Sequence, residues 1–500
     1  MLLGIDIGQS SCKASLLGTD GTLIDSRSAS YPTRHHFPGW AEQDPDDWVR
    51  AATAACSELL GARPPGYRID AVACTSATHN AVLLDDKGNP VRPCILLSDV
   101  RAADDAAAIE EAVGDVALER GRNRPTAGWT LPQLRWIART EPDVWRRVRR
   151  IVFAKDYVRQ ALTGDCVTDW IDAEGSLLFD AARRVWDETL CAQVPVSPDV
   201  LPRVVSPAAV VGTTRGGVMG LGRDIPVIAG CSDTAAEAFA AGANQQGAAV
   251  VKLATAGNVN VVCTSPAPSA AYFTYSHVVP GLAYHTFGTN AAAASRAWFQ
   301  SLVGAESTAD YATIDANVAA IAPGADGLLF HPYLAGERAP VFDTTLRASF
   351  LGLSSAHGRA HLARAVLEGV ALSLADCAGV AHEHGLKFTD PYVIGGGARS
   401  DVWVQIVADA LGLPVTRPAL PDASAGAALL AGAGSGVIEG IAAAAALTGR
   451  DGDRFEPCAA NVDRYRALLS VYREARDAVA PLSRTLHALA FPGSNEPGVG

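Results

Sequence analysis

Several features that commonly reveal a function are missing from this sequence of 500 residues. It has no excess of basic residues, since 41 Lys and Arg stand against 53 Asp and Glu and the net charge is −12. A protein that binds the backbone of a nucleic acid needs a basic face, so this balance argues against a nucleic-acid partner. An acidic surface does not exclude an anionic ligand that is held by backbone N–H groups.

Paired cysteines are also missing. The ten cysteines are scattered from Cys12 to Cys458, without a C-x-x-C pair and without the Cys/His spacing of zinc ligands. We interpret them as small buried residues of a protein in a reducing compartment, not as a disulfide or zinc framework.

Segments for secretion or membrane insertion are not evident either. The first ten residues have no basic stretch, and Asp6 interrupts their apolar run, so we expect no signal peptide. Residues 425–449 could be mistaken for a membrane span, but they are mainly Ala and Gly and contain Glu439. A close-packed pair of helices is the better interpretation. We therefore expect a cytoplasmic protein without a membrane partner.

The common nucleotide-binding motifs are absent as well. No G-x-x-x-x-G-K-[ST] occurs, which excludes a P-loop at the level of the motif. The run Gly395-Gly396-Gly397 follows a predicted strand, but Ser400 stands where G-x-G-x-x-G has its third glycine, and no acidic ribose partner follows. If the chain binds nucleotide phosphates, small polar turns and a helix N-terminus must replace that loop.

What the chain does contain is an alternation of strand and helix patterns. Its first third predicts strands at 2–7, 12–18, 22–29, 69–75 and 81–84, and helices near 45–60, 101–112 and 131–140. Residues 151–164 predict a helix that ends at Gly164. Residues 225–243 predict a buried strand, a tight polar turn and an Ala-rich helix. Asp233 would then lie near the helix N-terminus, where the helix dipole favours a carboxylate.

The opening hairpin contains an unusual residue. Asp6 lies inside an apolar strand, where a lone buried carboxylate costs several kcal/mol unless it has a partner. It either caps the adjacent turn or faces a cation.

Residues 247–266 repeat the strand–turn–strand pattern of the opening hairpin, with a small polar turn from Thr255 to Asn258. This echo suggests a duplicated fold with a boundary near residue 245. The predicted domains are 1–245 and 246–485, followed by a tail, 486–500.

Several longer segments resemble one family. They are GIDIGQSSCKASLLGTDG at the start, FPGWAEQDPDDW (37–48), CSDTAAEAFAAGA (231–243), the block 332–374 that begins PYLAGERAP, and GGGARSDVWVQIVADALGLPV (395–415). These are similar to the FGGY carbohydrate kinases, and within them to the xylulokinases, over most of residues 1–480. The resemblance implies an α/β protein with two ribonuclease H-like domains of the actin and hexokinase type. It places ATP and Mg²⁺ on one side of a central cleft and a sugar on the other.

The resemblance also implies roles for individual residues. Asp6 matches a metal-associated aspartate, and Asp233 matches the general base that acts on the sugar hydroxyl. His79 and Asp99 match sugar-binding positions. The nucleotide-binding positions are Ser10, Ser11, Lys13, Thr255, Gly257, Gly396, Gly397 and Ser400. A general base that orients the hydroxyl and accepts its proton late suits phosphoryl transfer, because that transition state is loose.

The motifs depart from the family at the sugar side. Ala77-Thr78-His79-Asn80 stands in place of Gln-Met-His-Gly, and Leu97-Ser98-Asp99-Val100-Arg101 in place of Trp-Asn-Asp-Gly-Arg. The second phosphate turn reads Ala254-Thr255-Ala256-Gly257 rather than Gly-Thr-Ser-Gly. We expect a kinase of a ketopentose such as xylulose, or of a close relative of D-xylulose. The alternatives are a polyol kinase of the glycerol, erythritol or ribitol type and a non-catalytic actin-like ATP-binding protein.

Other polar groups have plainer interpretations. Glu337 and Arg338 are expected to form a structural ion pair, and His382 and His384 to be solvated at a helix end. The expected ligand partner is a small sugar or polyol. The oligomeric state is left open, with a homodimer as one alternative.

Overall fold

A computed structural model describes residues 1–304, 308–338, 341–449 and 452–490 of the chain. Among these residues the chain forms two compact units, and each unit is assembled from separate stretches. The first unit takes residues 1–244 and 264–284 with the described part of 420–450, and the second takes 245–263, 285–419 and the described residues from 452 onward. The chain therefore leaves the first unit after residue 244 and returns to it twice.

Strands and helices alternate over most of the described chain. The strands are β1 (Leu2–Ile7), β2 (Ser11–Leu17), β3 (Leu23–Ser30), β4 (Glu42–Gln43), β5 (Ala71–Ser76), β6 (Ala81–Leu84), β7 (Cys94–Ile95), β8 (Arg150–Phe153), β9 (Val167–Asp169), β10 (Phe179–Asp180), β11 (Val185–Trp186), β12 (Arg203–Val205), β13 (Val210–Arg215), β14 (Arg223–Ser232), β15 (Ala249–Leu253), β16 (Gly257–Cys263), β17 (Phe273–Ser276), β18 (Ala283–Thr289), β19 (Leu329–His331), β20 (Ser349–Leu351), β21 (Tyr392–Ile394), β22 (Val415–Arg417) and β23 (Asp453–Phe455). The helices are α1 (Pro45–Gly61), α2 (Ala103–Gly121), α3 (Thr130–Thr140), α4 (Pro142–Trp145), α5 (Ala154–Thr163), α6 (Trp170–Gly175), α7 (Glu188–Cys191), α8 (Asp233–Ala241), α9 (Ala293–Leu302), α10 (Thr308–Ala319), α11 (Arg359–Glu383), α12 (Asp401–Leu411), α13 (Ala423–Ser435), α14 (Gly440–Ala445) and α15 (Ala459–Ala490).

The first unit is built on a mixed sheet with the order β13-β14-β5-β1-β2-β3. β1 pairs in parallel with β5 and antiparallel with β2, and β5 pairs in parallel with β14. The apolar side chains of β1, β2 and β5 form a core with the buried face of α1. Asp44 caps α1 by accepting a hydrogen bond from the Asp46 N–H, and Pro45 occupies the first helical position.

The second unit repeats the same scheme. β15 pairs antiparallel with β16 and in parallel with β21, and β22 and β23 continue the sheet beyond β21. The long helix α11 packs against α12, β16 and β19. Each unit is thus a mixed sheet covered by helices, which confirms the α/β class predicted from the sequence.

Two glycines explain why α13 belongs to the first unit. A Cβ on Gly4 of β1 would lie 1.8 Å from the Ser424 carbonyl oxygen, and one on Gly426 of α13 would lie 2.1 Å from the Ala236 carbonyl oxygen. Backbones can approach this closely only where side chains are absent. The small-residue helix α13 accordingly packs on β1 and α8.

Among the described residues, one helix is long and apolar enough to span a bilayer. This helix, α11, is largely buried within the protein, as the core helix of a globular unit would be. The stretch 425–449, for which a helix pair was predicted, forms most of α13 together with α14.

Most predicted elements of the first third are present, with one clear error. Residues 151–153 were predicted as helix but belong to β8, which pairs antiparallel with β6, Ala81 lying opposite Phe153. The helix that follows does end at Gly164, which has a φ of +81°. At the other end of the chain, α15 continues to Ala490, so 486–490 of the predicted tail are helical. The rest of the predicted tail lies outside the described residues.

Candidate active site

The hairpin formed by β1 and β2 contains four of the predicted site residues. A hydrogen bond from the Gly8 N–H to the Ser11 carbonyl, at 3.1 Å, closes the turn. Asp6 is half-buried near the end of β1 and lies opposite Lys13 on β2. Ser10 is exposed and Ser11 is half-buried. One hairpin therefore brings together a carboxylate, two hydroxyls and an ammonium group.

Lys13 forms an ion pair within the first unit. Its Nζ donates to Asp422 Oδ2 at 2.5 Å, and Asp422 also caps α13 by accepting from the Ala425 N–H. Burial tends to raise the pKa of Asp422, but the Lys13 ammonium and the local hydrogen bonds outweigh burial and hold that pKa below its usual value. A phosphate that used Lys13 would have to share its ammonium with Asp422.

Asp233 is the first residue of α8, directly after β14. Its Oδ1 accepts hydrogen bonds from the Thr234 N–H at 2.7 Å, the Thr234 hydroxyl at 3.2 Å and the Thr78 hydroxyl at 3.5 Å. Thr78 follows β5, and Ser76 at the end of β5 lies opposite Ser232 at the end of β14. The parallel pairing of these strands therefore places Asp233 next to the segment that contains His79.

A bulge in β14 sets the position of Asp233, which directly follows this strand. The register between β14 and β5 shifts between Ile228 and Cys231, and Gly230 has a φ of +81°. A Cβ on Gly230 would lie 1.7 Å from the Cys74 carbonyl oxygen, so only glycine fits there. Bulges of this kind redirect side chains next to active sites. The polar turn predicted before α8 is absent, because β14 runs straight into the helix after this bulge.

His79 is buried against an aromatic ring. It is 1% exposed, and its ring stacks on Trp129 with centroids 4.6 Å apart and an interplanar angle of 7°. Burial lowers the pKa of His79 to about 3, so the imidazole is neutral near pH 7. Neither ring nitrogen has a hydrogen-bond partner within the described chain. Buried polar atoms are rarely left without partners, so this imidazole is suited to bind a ligand hydroxyl.

Glycine and a strained backbone keep the His79 ring in this place. His79 itself has a φ of +48°, a conformation that is uncommon outside glycine and concentrated at functional sites. A Cβ on Gly175, at the end of α6, would lie 2.8 Å from His79 Cδ2. A larger residue at 175 would therefore displace the imidazole.

Asp99 is part of a buried ion-pair network. Its Oδ2 accepts from the Ala41 N–H at 2.6 Å, and its two oxygens accept from the Arg101 guanidinium at 2.7 to 3.0 Å. Arg101 also donates to Glu42 at 2.7 Å. The network fixes the Asp99 carboxylate, and its binding of a sugar stays a prediction.

A hydrogen bond joins the segments of His79 and Asp99. Asn80 Oδ1 accepts from the Leu97 N–H at 3.0 Å. A Cβ on Gly128 would lie 2.2 Å from the Leu97 carbonyl oxygen, and Gly128 directly precedes Trp129. Leu97, one of the positions at which the sequence departs from the family motif, therefore lies next to Trp129, which stacks on His79.

In the second unit, the turn after β15 lies beside the glycine run. Gly395 has a φ of +93°, and a Cβ on it would lie 2.7 Å from the carbonyl oxygen of Leu253, the last residue of β15. A Cβ on Gly397 would lie 2.8 Å from Leu253 Cβ. The turn that contains Thr255 and the glycine run are thus in direct backbone contact.

The other predicted nucleotide residues surround this contact. Thr255 and Gly396 are exposed, and Gly257 is buried at the start of β16. Ser400 caps α12 by accepting a hydrogen bond from the Trp403 N–H at 3.3 Å. Exposed turn backbone and a helix N-terminus are the elements that can bind phosphate without a P-loop.

Glu337 has a larger part in the second unit than the sequence indicated. It is 2% exposed and accepts hydrogen bonds from the Thr289 hydroxyl at 2.6 Å, the Asn290 N–H at 3.1 Å and the Arg338 N–H at 2.8 Å. Burial raises the pKa of Glu337 to about 7 despite these hydrogen bonds. These hydrogen bonds join residues 289–290 to residues 337–338, and the ion pair expected with Arg338 stays a prediction.

Two groups near the predicted site were missed from the sequence. Trp129 stacks on His79, but a Trp in GWT has no local signal that separates it from a core residue. Lys155 was assigned to an ordinary helix, although its Nζ lies 2.7 to 2.8 Å from carboxylate oxygens of Asp156, Asp169 and Asp172. A run of Lys-Asp at a helix start, followed by further aspartates, could have indicated a buried cluster.

Within the described residues, no group of three or more His, Cys, Asp or Glu could hold a metal ion.

Comparisons with known proteins show the family of the chain. The model of the N-terminal domain of the FGGY family of carbohydrate kinases matches residues 1–240, and that of the C-terminal domain matches 254–435. A xylulose kinase of Lactococcus lactis is 31% identical over 497 residues, covering 97% of this chain and 98% of that protein. One from Bacillus subtilis is 32% identical over 482 residues, covering 94% and 96%.

The solved structures extend the likeness to the fold. The crystal structure of a xylulose kinase from Rhodospirillum rubrum matches with a TM-score of 0.86 at 31% identity, covering 96% of this chain and 99% of that one. Two family models and relatives of this identity over almost their whole length confirm the resemblance seen in the motifs: the chain belongs to the FGGY family of carbohydrate kinases.

Proposed function

We propose that this carbohydrate kinase transfers the γ-phosphoryl group of ATP to a hydroxyl of a ketopentose, with xylulose as the leading candidate. The observation that carries the proposal is the corner formed by His79 and Asp233. There a buried neutral imidazole, whose two nitrogens have no hydrogen-bond partner among the described residues, lies on the segment adjoining a hydrogen-bonded carboxylate. The relatives that are named xylulose kinases support the choice of substrate.

Asp233 is the general base in this proposal. Among the described contacts, Thr78 and Thr234 donate to Oδ1, so Oδ2 is the oxygen that would accept the proton of the substrate hydroxyl. Phosphoryl transfer has a loose transition state, and the carboxylate contributes mainly by orienting the nucleophile and accepting its proton late. The Thr78 bond would keep the carboxylate in that orientation.

His79 and its stacked neighbour would bind the sugar. A neutral imidazole offers one N–H donor and one nitrogen acceptor, which matches two hydroxyls of a carbon chain. The Trp129 ring behind it excludes water and fixes the imidazole plane. Asp99 would act from its ion-pair network, where its carboxylate has a fixed position.

ATP would bind through the two turns and the N-terminus of α12. Thr255, Gly257, Gly396, Gly397 and Ser400 supply the second-unit contacts. Ser10, Ser11 and Lys13 supply those of the opening hairpin. Mg²⁺ when bound would neutralise charge on the phosphate oxygens, and Asp6 would hold it. This answers why a carboxylate is tolerated in β1: a cation would share its surroundings.

The identity of the acceptor depends on the altered corner. Leu97 replaces an aromatic residue of the family motif and Ser98 replaces an amide, so both the shape and the hydrogen bonding of the acceptor pocket should differ. One unpartnered polar group in such a pocket changes binding by roughly 1–3 kcal/mol, enough to reorder stereoisomers about tenfold. A polyol kinase is therefore the alternative. We place the enzyme in the cytoplasm, without a nucleic-acid or membrane partner, and keep a homodimer as an open possibility.

The test is kcat/KM for D-xylulose, L-xylulose, D-ribulose, L-ribulose, erythritol, ribitol and glycerol. We expect a ketopentose to rank first. A clear preference for a polyol would replace the substrate, and the absence of ADP release with every compound would refute the kinase.

Substitution of Asp233 tests its role as the base. Asp233→Asn should fold and bind the acceptor but lose at least about a hundredfold in turnover, the usual scale for a general base. Asp86→Asn, the same change at an exposed aspartate, should leave turnover unchanged. Near-native turnover of Asp233→Asn would mean that Asp233 only stabilises the start of α8.

A further inference from the structure

Two side chains of the first unit, Asn123 and Glu174, form hydrogen bonds with the segment β17 (Phe273–Ser276). Asn123 forms a reciprocal pair with Thr274: its Nδ2 donates to the Thr274 carbonyl and its Oδ1 accepts from the Thr274 N–H, both at 2.8 Å. Asn123 is fully buried. An amide side chain that satisfies both backbone groups of one residue fixes that residue as a neighbouring strand would.

Glu174 makes the second attachment, two residues further along. Its Oε2 accepts from the Ser276 N–H at 2.8 Å and its Oε1 from the Ser276 hydroxyl at 2.7 Å. Glu174 is 1% exposed, and Arg122 Nη1 lies 3.8 Å from its carboxylate. Glu174 directly precedes Gly175, whose missing Cβ leaves room for the His79 ring. One short helix end thus supports both β17 and His79.

Between these attachments, two aromatic rings of β17 contact Trp129. Tyr275 stacks on Trp129 with centroids 5.9 Å apart and an interplanar angle of 12°, and Phe273 meets it edge to face at 5.7 Å. Alternate residues of a strand project from the same face, so fixing Thr274 and Ser276 also fixes Phe273 and Tyr275. Trp129 is therefore enclosed between β17 and the parallel ring of His79.

We propose that Asn123 and Glu174 are positioning residues for the acceptor: through Thr274 and Ser276 they hold Tyr275 against Trp129, and so hold the His79 imidazole in its binding orientation. The proposal rests on the proposed function, because it assigns acceptor binding to His79. It predicts that Asn123 and Glu174 influence acceptor affinity, although they act through the rings of Tyr275 and Trp129.

The first test is a set of kinetic variants, assayed with the compound of highest kcat/KM for the wild type. Asn123→Ala loses two hydrogen bonds and should raise the acceptor KM about tenfold, with kcat and the ATP KM changed less than about twofold. Glu174→Ala should act alike, and Glu174→Gln, which keeps an acceptor for the Ser276 N–H, should restore most of the affinity. Asn244→Ala is the matched control, because Asn244 also makes two side-chain hydrogen bonds in this unit.

A double-mutant cycle separates positioning from general destabilisation. Tyr275→Leu should raise the acceptor KM as Asn123→Ala does, and Asn123→Ala should have no further effect in the Tyr275→Leu background. Tyr275→Phe keeps the ring and should resemble the wild type. Additive effects in the double variant, or equal rises in the acceptor KM and the ATP KM, would overturn the proposal.

A readout without turnover makes the inference independent of the kinase assay. Stacking on Trp129 shields the ring protons of His79 and so shifts their proton NMR resonance. This resonance is assigned as the one that disappears in His79→Gln. That resonance should shift in Asn123→Ala and Tyr275→Leu and stay unchanged in Tyr275→Phe and Asn244→Ala. An unmoved resonance in Asn123→Ala would refute the positioning role. If no compound is phosphorylated but the resonance moves as expected, the proposed function fails and the positioning of His79 stands.

Discussion

Replacing Lys155 tests the buried charge cluster next to the acceptor corner. The side chains of Lys155, Asp156, Arg159, Asp169 and Asp172 have no exposed surface. Two cations face three carboxylates, so the cluster is short of positive charge. Burial, with the neighbouring carboxylates, raises the pKa of Asp172 to about 7 in spite of Lys155. Lys155→Met would leave three buried carboxylates with one guanidinium, and that guanidinium contacts Asp156.

The expected loss follows from this geometry. Removing one partner of a buried ion pair costs about 3–5 kcal/mol, because an uncompensated charge stays buried. We expect a loss of that size in the free energy of unfolding at pH 8. An acid with a raised folded pKa contributes stability that is present at low pH and lost as pH rises through about 7. Without Lys155 the carboxylates bind protons more tightly, so the loss at pH 5.5 should be smaller, by about 1.4 kcal/mol for each unit of pKa.

The assay is urea unfolding followed by circular dichroism at both pH values. Lys87→Met, the same substitution at an exposed lysine, is the control. The triple variant Lys155→Met, Asp169→Asn, Asp172→Asn leaves Arg159 with Asp156 and should recover most of the stability. A loss below about 1 kcal/mol at pH 8, or an equal loss at both pH values, would refute the argument that uncompensated charge dominates.

Two further predictions concern the pH dependence of stability in Glu337→Gln and the effect of the acceptor on ADP release. Burial raises the pKa of Glu337 to about 7, so the contribution of this residue to stability is lost as pH rises through that value. Glu337→Gln should therefore flatten the dependence of the unfolding free energy on pH between 5 and 8, by up to about 1.4 kcal/mol per pH unit. Urea titrations across that range measure it, and an unchanged slope would contradict the assignment. The proposed function also predicts that the acceptor stimulates ADP release, because a bound acceptor hydroxyl is positioned for transfer while water is not. Enzyme-coupled ADP detection with and without acceptor measures this, and equal rates would contradict it.

Local patterns predicted elements well where local interactions determine them. The strand 81–84 and the helix at 45–60 were placed correctly. For the helix, Asp44 and Pro45 form a start signal that can be read from the sequence. Residues 151–153 were assigned to the wrong element because the run Ile-Val-Phe pairs with β6, a partner distant in sequence. In such short apolar runs, pairing with a strand distant in sequence outweighs the local helix propensity.

The candidate site was predictable as a set of motifs and not as an arrangement. Asp233 and His79 were singled out individually, but the bulge at Gly230, just before Asp233, depends on contact with the Cys74 carbonyl. The return of α13 to the first unit was missed for a similar reason. Its small residues indicated close packing, but their partner, Gly4, is more than four hundred residues away in the sequence.

The proposed base, Asp233, and the proposed acceptor wall, formed by Trp129 and His79, have different structural supports, and this bears on specificity. Asp233 is fixed by the pairing of β5 with β14 and by the bulge at Gly230, so its position depends on the core sheet. Trp129 is fixed by Gly128, by β17 and by the stack with His79, all outside that sheet. Changes in the second set alter the shape of the acceptor pocket without moving the base. Leu97 contacts Gly128 and therefore acts on the wall. Substitution at Leu97 should change which acceptor ranks first and leave the rate with the best acceptor nearly constant.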